Sequence, residues 1–378
     1  MKSLYSFILS LNNFLQIMFI NKKFKEVVIF SENHRYYYVF FELIEKLKKE
    51  NKNFIYVTSD KQDTYDFDNL GKCFYIGKGL AFILFVNFIS CKNLIMTLTD
   101  LKNNKFKKSL FCKNFIYIFH SLMSTHKTYT EGAFDNYDII FACGQYQKDE
   151  IRKREKLKKL KRKTVIVSGY LYLDYLNNYK NKFNLNNKEK TILIAPSWNM
   201  DGKDLINNNI ENIIEKILEK YNVILRPHPE SFKRSESKLK DIQKKFSRNK
   251  KFKLDTNSSN VESMALSDIL MTDGSGISME FLFYKKQPVI YLETENLEKI
   301  HNPNYELISK KTFQEDVQND LGINLNIFNN NEFISVIDNC FQKEFLNNFK
   351  EKTEKYLKHK FPEQGKTAEN IYKNLFSN

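Results

Sequence analysis

The sequence lacks the loops on which the common nucleotide and metal enzymes are built. It has no G-x-G-x-x-G and no G-x-x-x-x-G-K-[ST], which disfavours a dinucleotide-dependent dehydrogenase and a P-loop kinase. It has no H-E-x-x-H and no Cys/His spacing suited to a metal, which disfavours a zinc hydrolase. Its five cysteines (Cys73, Cys91, Cys112, Cys143, Cys340) form no C-x-x-C, and their odd number and spread fit reduced thiols of a cytosolic protein. No small-residue cleavage site follows the first apolar stretch, so a signal peptide is not expected. The longest apolar run, residues 80–90, is too short to cross a bilayer as a helix and reads as a core helix.

What remains is a globular composition. Hydrophobic residues make up 42% of 378 and charged residues 28%, enough for two domains with ordinary cores. The net charge of +15 favours an anionic partner without choosing among nucleotide, polymer, nucleic acid and membrane surface. Within residues 1–25, Leu4, Ile8, Leu11, Leu15 and Met18 follow a helical spacing, and the basic segment 21–25 comes after them. This is either a first helix covering the core or a helix lying on a membrane surface.

From residue 26 the chain alternates short apolar strands with amphipathic helices. Strands are expected at 26–30, 54–60, 93–99, 114–121, 137–144 and 164–170, with helices over 36–51 and 80–90. That rhythm predicts a parallel α/β sheet. The basic stretch 152–163 reads as a solvated helix face. Residues 177–190 are polar and read as a linker. The rhythm then restarts, with strands at 191–198, 222–225, 251–255, 267–276 and 287–293 and a helix over 206–221. The fold class is therefore α/β with two facing Rossmann-like domains, 26–176 and 191–360, and a closing helical segment, 361–378, that packs back across the cleft.

Ligands in such folds meet the carboxyl ends of the strands, and three strand ends carry chemistry. The strand 222–225 ends in Arg226-Pro227-His228-Pro229, where two prolines hold two cation-capable side chains. Both can donate to phosphate oxygens, and His228 can also protonate a leaving oxygen. The plainer reading pairs Arg226 with a structural acid and gives His228 a turn to cap. Asp273-Gly274-Ser275-Gly276 joins a strand to a helix that carries Glu280, a setting for anion binding by backbone N–H groups and a hydroxyl. His120, with His126 behind it, follows the strand 114–121 in the first domain and suits a general base. Ser197 and Trp198 close the strand 191–198, where Trp198 either lines a donor pocket or packs in the core.

Taken together, these segments resemble the CDP-glycerol glycerophosphotransferase family of teichoic-acid primases and polymerases. The likeness is carried by IFSENHRYYYVFFELIEKLKKENKNFIYVTSD, FHSLMSTHKTYTEGAFDNYDIIFACG, LIAPSW, VILRPHP, SDILMTDGSGISMEFLFYKKQPVIYLE and GKTAENIYKNL, in that order, and extends over most of the chain. It implies a glycosyltransferase B-type fold at the cytoplasmic face of the cell membrane. It also implies that His120 activates an acceptor hydroxyl, Arg226 and His228 neutralise a donor pyrophosphate, Ser275 and Gly276 hold phosphate, and Asp273 and Glu280 orient the site. Two departures stand out: His120-Ser121 where many members have His-Gly, and Ser275-Gly276 where many have paired serines. The first leaves the acceptor open.

The resulting expectation is transfer of glycerol phosphate, or a related alditol phosphate, from a CDP-activated donor to a hydroxyl of a cell-surface polymer or its lipid-linked precursor, releasing CMP. No metal and no tightly bound cofactor are expected, and no nucleic acid partner. One alternative is a nucleotide-sugar-dependent glycosyltransferase of the same fold in capsule synthesis. A basic membrane-surface or nucleic-acid-binding protein is a non-enzymatic alternative.

Overall fold

The computed structural model describes residues 2–99, 101, 106–179, 189–198, 204–207, 210–293, 302, 304–326 and 333–376. The chain divides into two compact units. The first comprises Met1–Tyr175, His301–Lys310 and Phe361–Asn378, and the second Leu176–Ile300 and Lys311–Lys360.

Unit 1 is built on seven parallel strands: β1 (Val27–Ser31), β2 (Phe54–Thr58), β3 (Gly71–Tyr75), β4 (Cys91–Met96), β5 (Cys112–Ile118), β6 (Ile139–Ala142) and β7 (Thr164–Val167). Their order across the sheet is β3-β2-β1-β4-β5-β6-β7. The chain winds outward one way from β1 and then returns to β4 to wind the other way. β1 and β2 are buried at every position, as expected of parallel strands covered on both faces. The helix Tyr37–Lys49 supplies one cover. Val39, Phe40, Leu43, Ile44 and Leu47 repeat at three and four residues, so one stripe faces the sheet. The helix Thr367–Phe376 lies against this helix and adds Ile371 and Leu375 to the same core. Its entry is fixed by Asp174, which accepts from the backbone N–H of Gly365 and of Thr367.

Unit 2 has six parallel strands: β8 (Thr191–Ile194), β9 (Asn222–Leu225), β10 (Phe252–Leu254), β11 (Ile269–Thr272), β12 (Val289–Glu293) and β13 (Ile323–Asn326). The order β10-β9-β8-β11-β12-β13 repeats the reversal seen in unit 1, here between β8 and β11. The helix Ile210–Leu218 covers it through Ile210, Ile213, Ile214, Ile217 and Leu218.

Several sequence expectations differ from this architecture. Several strands stop before the expected run does: β2 ends at Thr58, β4 at Met96, β5 at Ile118, β8 at Ile194 and β11 at Thr272, where the chain leaves the sheet for the strand-end loops. β3 and β13 were not expected; both are edge strands whose polar and half-exposed residues give no apolar run. The helix Gln145–Leu157 takes in only the first half of the basic stretch 152–163. The cations there are tied locally: Arg154 grips Asp135 and Glu131, and Arg152 pairs with Glu155. The helix Leu171–Tyr179 runs into the start of the polar segment 177–190, of which 180–188 lie outside the described residues. Residues 208 and 209 of the expected helix 206–221 also lie outside them.

The first helix, Lys2–Phe19, covers part of unit 1 with one face and turns part of its apolar stripe outward. Its mixed face packs on the helix Leu80–Phe88 and on β3, burying Ser10, Phe14 and Ile17. Asn13 donates to the carbonyl of Tyr75, and the hydroxyls of Ser6 and Tyr75 are 3.2 Å apart. Of the apolar stripe, Leu4 is 64% exposed, Ile8 57% and Leu15 52%, while Leu11 and Met18 are half-buried. Among the described residues no helix is long and apolar enough to cross a membrane.

Candidate active site

In unit 2 the reversal of strand order places the ends of β8 and β11 side by side, and the sequence-predicted residues of that unit gather there. Asp273, one residue past β11, accepts from the backbone N–H of Ser197 at 2.6 Å. The preceding Thr272 hydroxyl donates to the carbonyl of Ala195 and accepts from the backbone N–H of Ser275. These bonds lock the two strand-end loops together. Gly274 adopts φ +99°, a conformation that side chains rarely take, although open space surrounds the place a Cβ would occupy. Its glycine is required by the backbone turn and not by crowding. Gly276 then starts the helix Ile277–Lys285 with no side-chain cap; the N–H of Ser278 donates to the carbonyl of Ser275, and the helix start keeps the positive end of its macrodipole. Glu280 on that helix accepts from Asn260.

β9, the neighbour of β8, delivers Arg226 and His228. The backbone N–H of Arg226 donates to Ile194, continuing the ladder for one residue. Its guanidinium pairs with Asp255, which is fully buried, and donates to the carbonyls of Asn257 and Ser258. The plainer reading of Arg226, as partner to a structural acid, thus describes part of what it does. A guanidinium has five N–H donors, so these contacts leave capacity for a ligand. His228 is half-buried, and its Nδ1 accepts from the backbone N–H of Glu230 at 3.2 Å. In the neutral ring the proton therefore sits on Nε2, the nitrogen that points away from the turn. The ring of Trp198 lies 6.0 Å from that of His228, and Arg234 stacks over Trp198 at 5.0 Å. Trp198 is therefore a half-exposed wall of the strand-end region and not a core residue.

In unit 1, His120 lies just beyond β5. Tyr170 donates to its backbone carbonyl at 2.9 Å, and its ring packs on that of Tyr36 with centroids 5.0 Å apart. Nδ1 is buried without a hydrogen-bond partner, which leaves Nε2 to meet a reactant. Burial alone lowers the imidazole to about 4, so it is neutral and able to take a proton at physiological pH. His126 is different. Its side chain is wholly buried beside Glu150, with Nδ1 3.3 Å from the carboxylate, so it has no access to serve in place of His120.

Two residues of this edge were missed by sequence reasoning. Glu32, directly after β1, accepts from the hydroxyl of Thr97, directly after β4. Glu32 falls within the opening segment that resembles the family but carries no assigned role there, Thr97 belongs to no motif, and only the strand order brings the two together. Among the described residues no group of three or more His, Cys, Asp or Glu side chains is placed to hold a metal ion.

A family model described as CDP-Glycerol:Poly(glycerophosphate) glycerophosphotransferase matches residues 122–377, which include the whole of the unit 2 site. The chain belongs to that family. It is thus a CDP-glycerol-dependent glycerophosphotransferase acting on a cell-surface polymer. Among solved structures it resembles the wall teichoic acid polymerase TagF at 14% identity, covering 99% of this chain and 97% of that one, with a TM-score of 0.65. A histidine-to-asparagine TagF variant soaked with CDPG gives 13% identity, the same coverage of 99% and 97%, and a TM-score of 0.61. The UDP-GlcNAc 2-epimerase of Methanocaldococcus jannaschii gives 15% identity, coverage of 93% and 99%, and a TM-score of 0.55. These likenesses establish a glycosyltransferase B-type fold. A comparison with curated proteins returned no match. The family match begins after His120, so it takes in the later part of unit 1 from residue 122, unit 2 and the closing helix, but not His120 itself.

Proposed function

We propose that the enzyme transfers glycerol phosphate to a terminal hydroxyl by direct displacement, with its residues divided between the two units. In unit 1, Nε2 of His120 removes the proton of the acceptor hydroxyl as that oxygen attacks the β-phosphorus of CDP-glycerol. In unit 2 the bond from the β-phosphorus to the bridging oxygen breaks and CMP leaves. Charge growing on that oxygen is met by Nε2–H of His228, by Arg226 and by the N–H groups at the start of the helix Ile277–Lys285. Ser275 holds a phosphate oxygen, Asp273 and Glu280 set the loops around it, and Trp198 and Ser197 flank the donor. Catalysis of this kind rests on positioning and on donors fixed before charge develops.

The observation that carries this reading is the bond from Glu230 to Nδ1 of His228, which leaves Nε2 protonated at the end of β9. The low proton affinity of His120 suits it as well: the ring starts neutral, and the negative charge of a bound pyrophosphate would raise its affinity for a proton where transfer is needed. We further propose that no metal or tightly held cofactor takes part. The acceptor would be a poly(glycerophosphate) chain or its lipid-linked precursor, met at the cytoplasmic face of the membrane. The outward stripe of Leu4, Ile8 and Leu15, beside Lys22 and Lys23, supports an interfacial docking helix. The deciding experiment is donor turnover. CMP release from CDP-glycerol, dependent on an added acceptor, is expected. Release of UDP or GDP from a sugar nucleotide with no CMP release would establish the glycosyltransferase alternative.

A further inference from the structure

The reversal of strand order in unit 1 lies between β1 and β4, and the crevice outside such a point is where open α/β sheets receive ligands. The side chains at that point form one connected group. Thr97 Oγ1 donates to Glu32 across 3.4 Å, Tyr36 follows Glu32 by one turn, and the ring of Tyr36 rests on that of His120. Glu32 and Tyr36 are half-buried, so each still presents an edge to solvent. Burial raises the Glu32 carboxyl, while the bond from Thr97 and the charge of Lys78 favour its ionised form. Lys78 is exposed in the loop after β3. A hydroxyl-rich, phosphate-bearing chain fits such a surface, because a carboxylate accepts from hydroxyls and an adjacent lysine attracts phosphodiester charge.

We propose that Glu32, supported by Thr97 and Tyr36, is an acceptor-recognition residue, its carboxylate accepting hydrogen bonds from the terminal glycerol hydroxyls of the polymer and presenting one of them to His120. This rests on the glycerophosphotransferase reading for the nature of the acceptor. It adds a specificity-determining side chain that precedes the family-matched residues.

The test is equilibrium binding of a short synthetic glycerol phosphate oligomer, set beside binding of CDP-glycerol, in the full chain. Glu32→Gln should weaken the oligomer by roughly tenfold or more, the usual size of losing a hydrogen bond to a charged group. Thr97→Val should weaken it a few-fold. CDP-glycerol affinity should stay within about twofold of wild type in both variants, since neither residue belongs to unit 2. Oligomer affinity of the wild type should fall as pH drops through the raised Glu32 pKa and should be flat over that range in Glu32→Gln. Of the other groups facing Glu32, which include Lys78, burial pushes Tyr36 and Tyr117 up, so both stay neutral there. His120 is common to both proteins. Unchanged oligomer affinity in Glu32→Gln, or an equal loss for both ligands, overturns the proposal, as does a wild type that does not bind the oligomer. If Glu32→Gln does not fold, Thr97→Val decides by the same criteria. Failure of the wild type to release CMP from CDP-glycerol would instead overturn the donor reading and leave the oligomer comparison intact.

Discussion

The backbone N–H of Glu230 donates to Nδ1 of His228 over 3.2 Å, so a turn of the main chain decides which nitrogen of that ring carries the proton. A glutamine amide can stand near where Nε2–H stands, but it cannot give up a proton. His228→Gln should keep CDP-glycerol affinity within a few-fold of wild type, while kcat falls by about 10²–10⁴, the usual worth of a positioned acid. His228→Ala should lose both. Equal kcat in wild type and His228→Gln, in a single-turnover assay of CMP release, would reduce His228 to a binding residue.

If His120 is the base, as proposed, it sets the acid side of the pH profile. An ordinary histidine base is lost as pH falls through about 6.5, but burial lowers this one to about 4. The acid limb of kcat/KM that belongs to His120 should therefore lie well below pH 6. The same displacement acts on folding. The unfolded chain takes up a proton between pH 6.5 and about 4 while the folded chain does not, so this contribution is complete above 6.5 and declines as pH falls toward 4. His120→Gln should abolish transfer and flatten that part of the stability curve, as read by denaturant titration across this range.

Arg226 serves the fold, and on the proposed mechanism it serves the donor as well. Asp255 is fully buried beneath it and also accepts from Ser263. Removing the guanidinium strands a buried carboxylate, at a cost of about 3 kcal/mol or more. Arg226→Ala should lower the midpoint of denaturant unfolding markedly. Arg226→Ala with Asp255→Asn should recover much of that loss without recovering donor affinity, as measured by calorimetry. Recovery of both would restrict Arg226 to a structural role.

Leu4, Ile8 and Leu15 face outward, and their replacement should cost the fold nothing. The triple change to glutamine should leave the melting temperature unchanged or slightly raised. It should release the protein from sedimenting vesicles that contain anionic phospholipid, where binding scales with buried apolar area. Undiminished sedimentation would show that the stripe does not hold the membrane.

Much of this was legible in the sequence, and the rest was not for physical reasons. Arg226, His228, Asp273 and Ser275 could be read because strand-terminating Pro and Gly residues mark where a backbone stops pairing. Their convergence followed from the α/β rhythm alone. The first helix was read correctly as two-faced, but periodicity does not say which face turns inward. Asn13 and Ser6 settled that by bonding to Tyr75, a partner invisible in one dimension. β3 and β13 escaped because an edge strand needs only a partial apolar face. Thr97 stayed hidden because it has no local signature, and Glu32, although inside a segment that resembles the family, had no partner in the sequence to give it a role. They become neighbours only once β4 is known to lie beside β1.

Both sheets reverse direction after their third strand, so each unit has a crevice that belongs to it alone. On the proposed assignment, the loops that would answer to the incoming polymer share no residue with the loops that would answer to the nucleotide. A lineage can redraft residues 32–36 and 97–99 to suit a new wall or capsule chain while the segment from Ser197 to Gly276 stays under its old constraint. Diversity of surface polymers built from one activated precursor is what such separable inheritance allows.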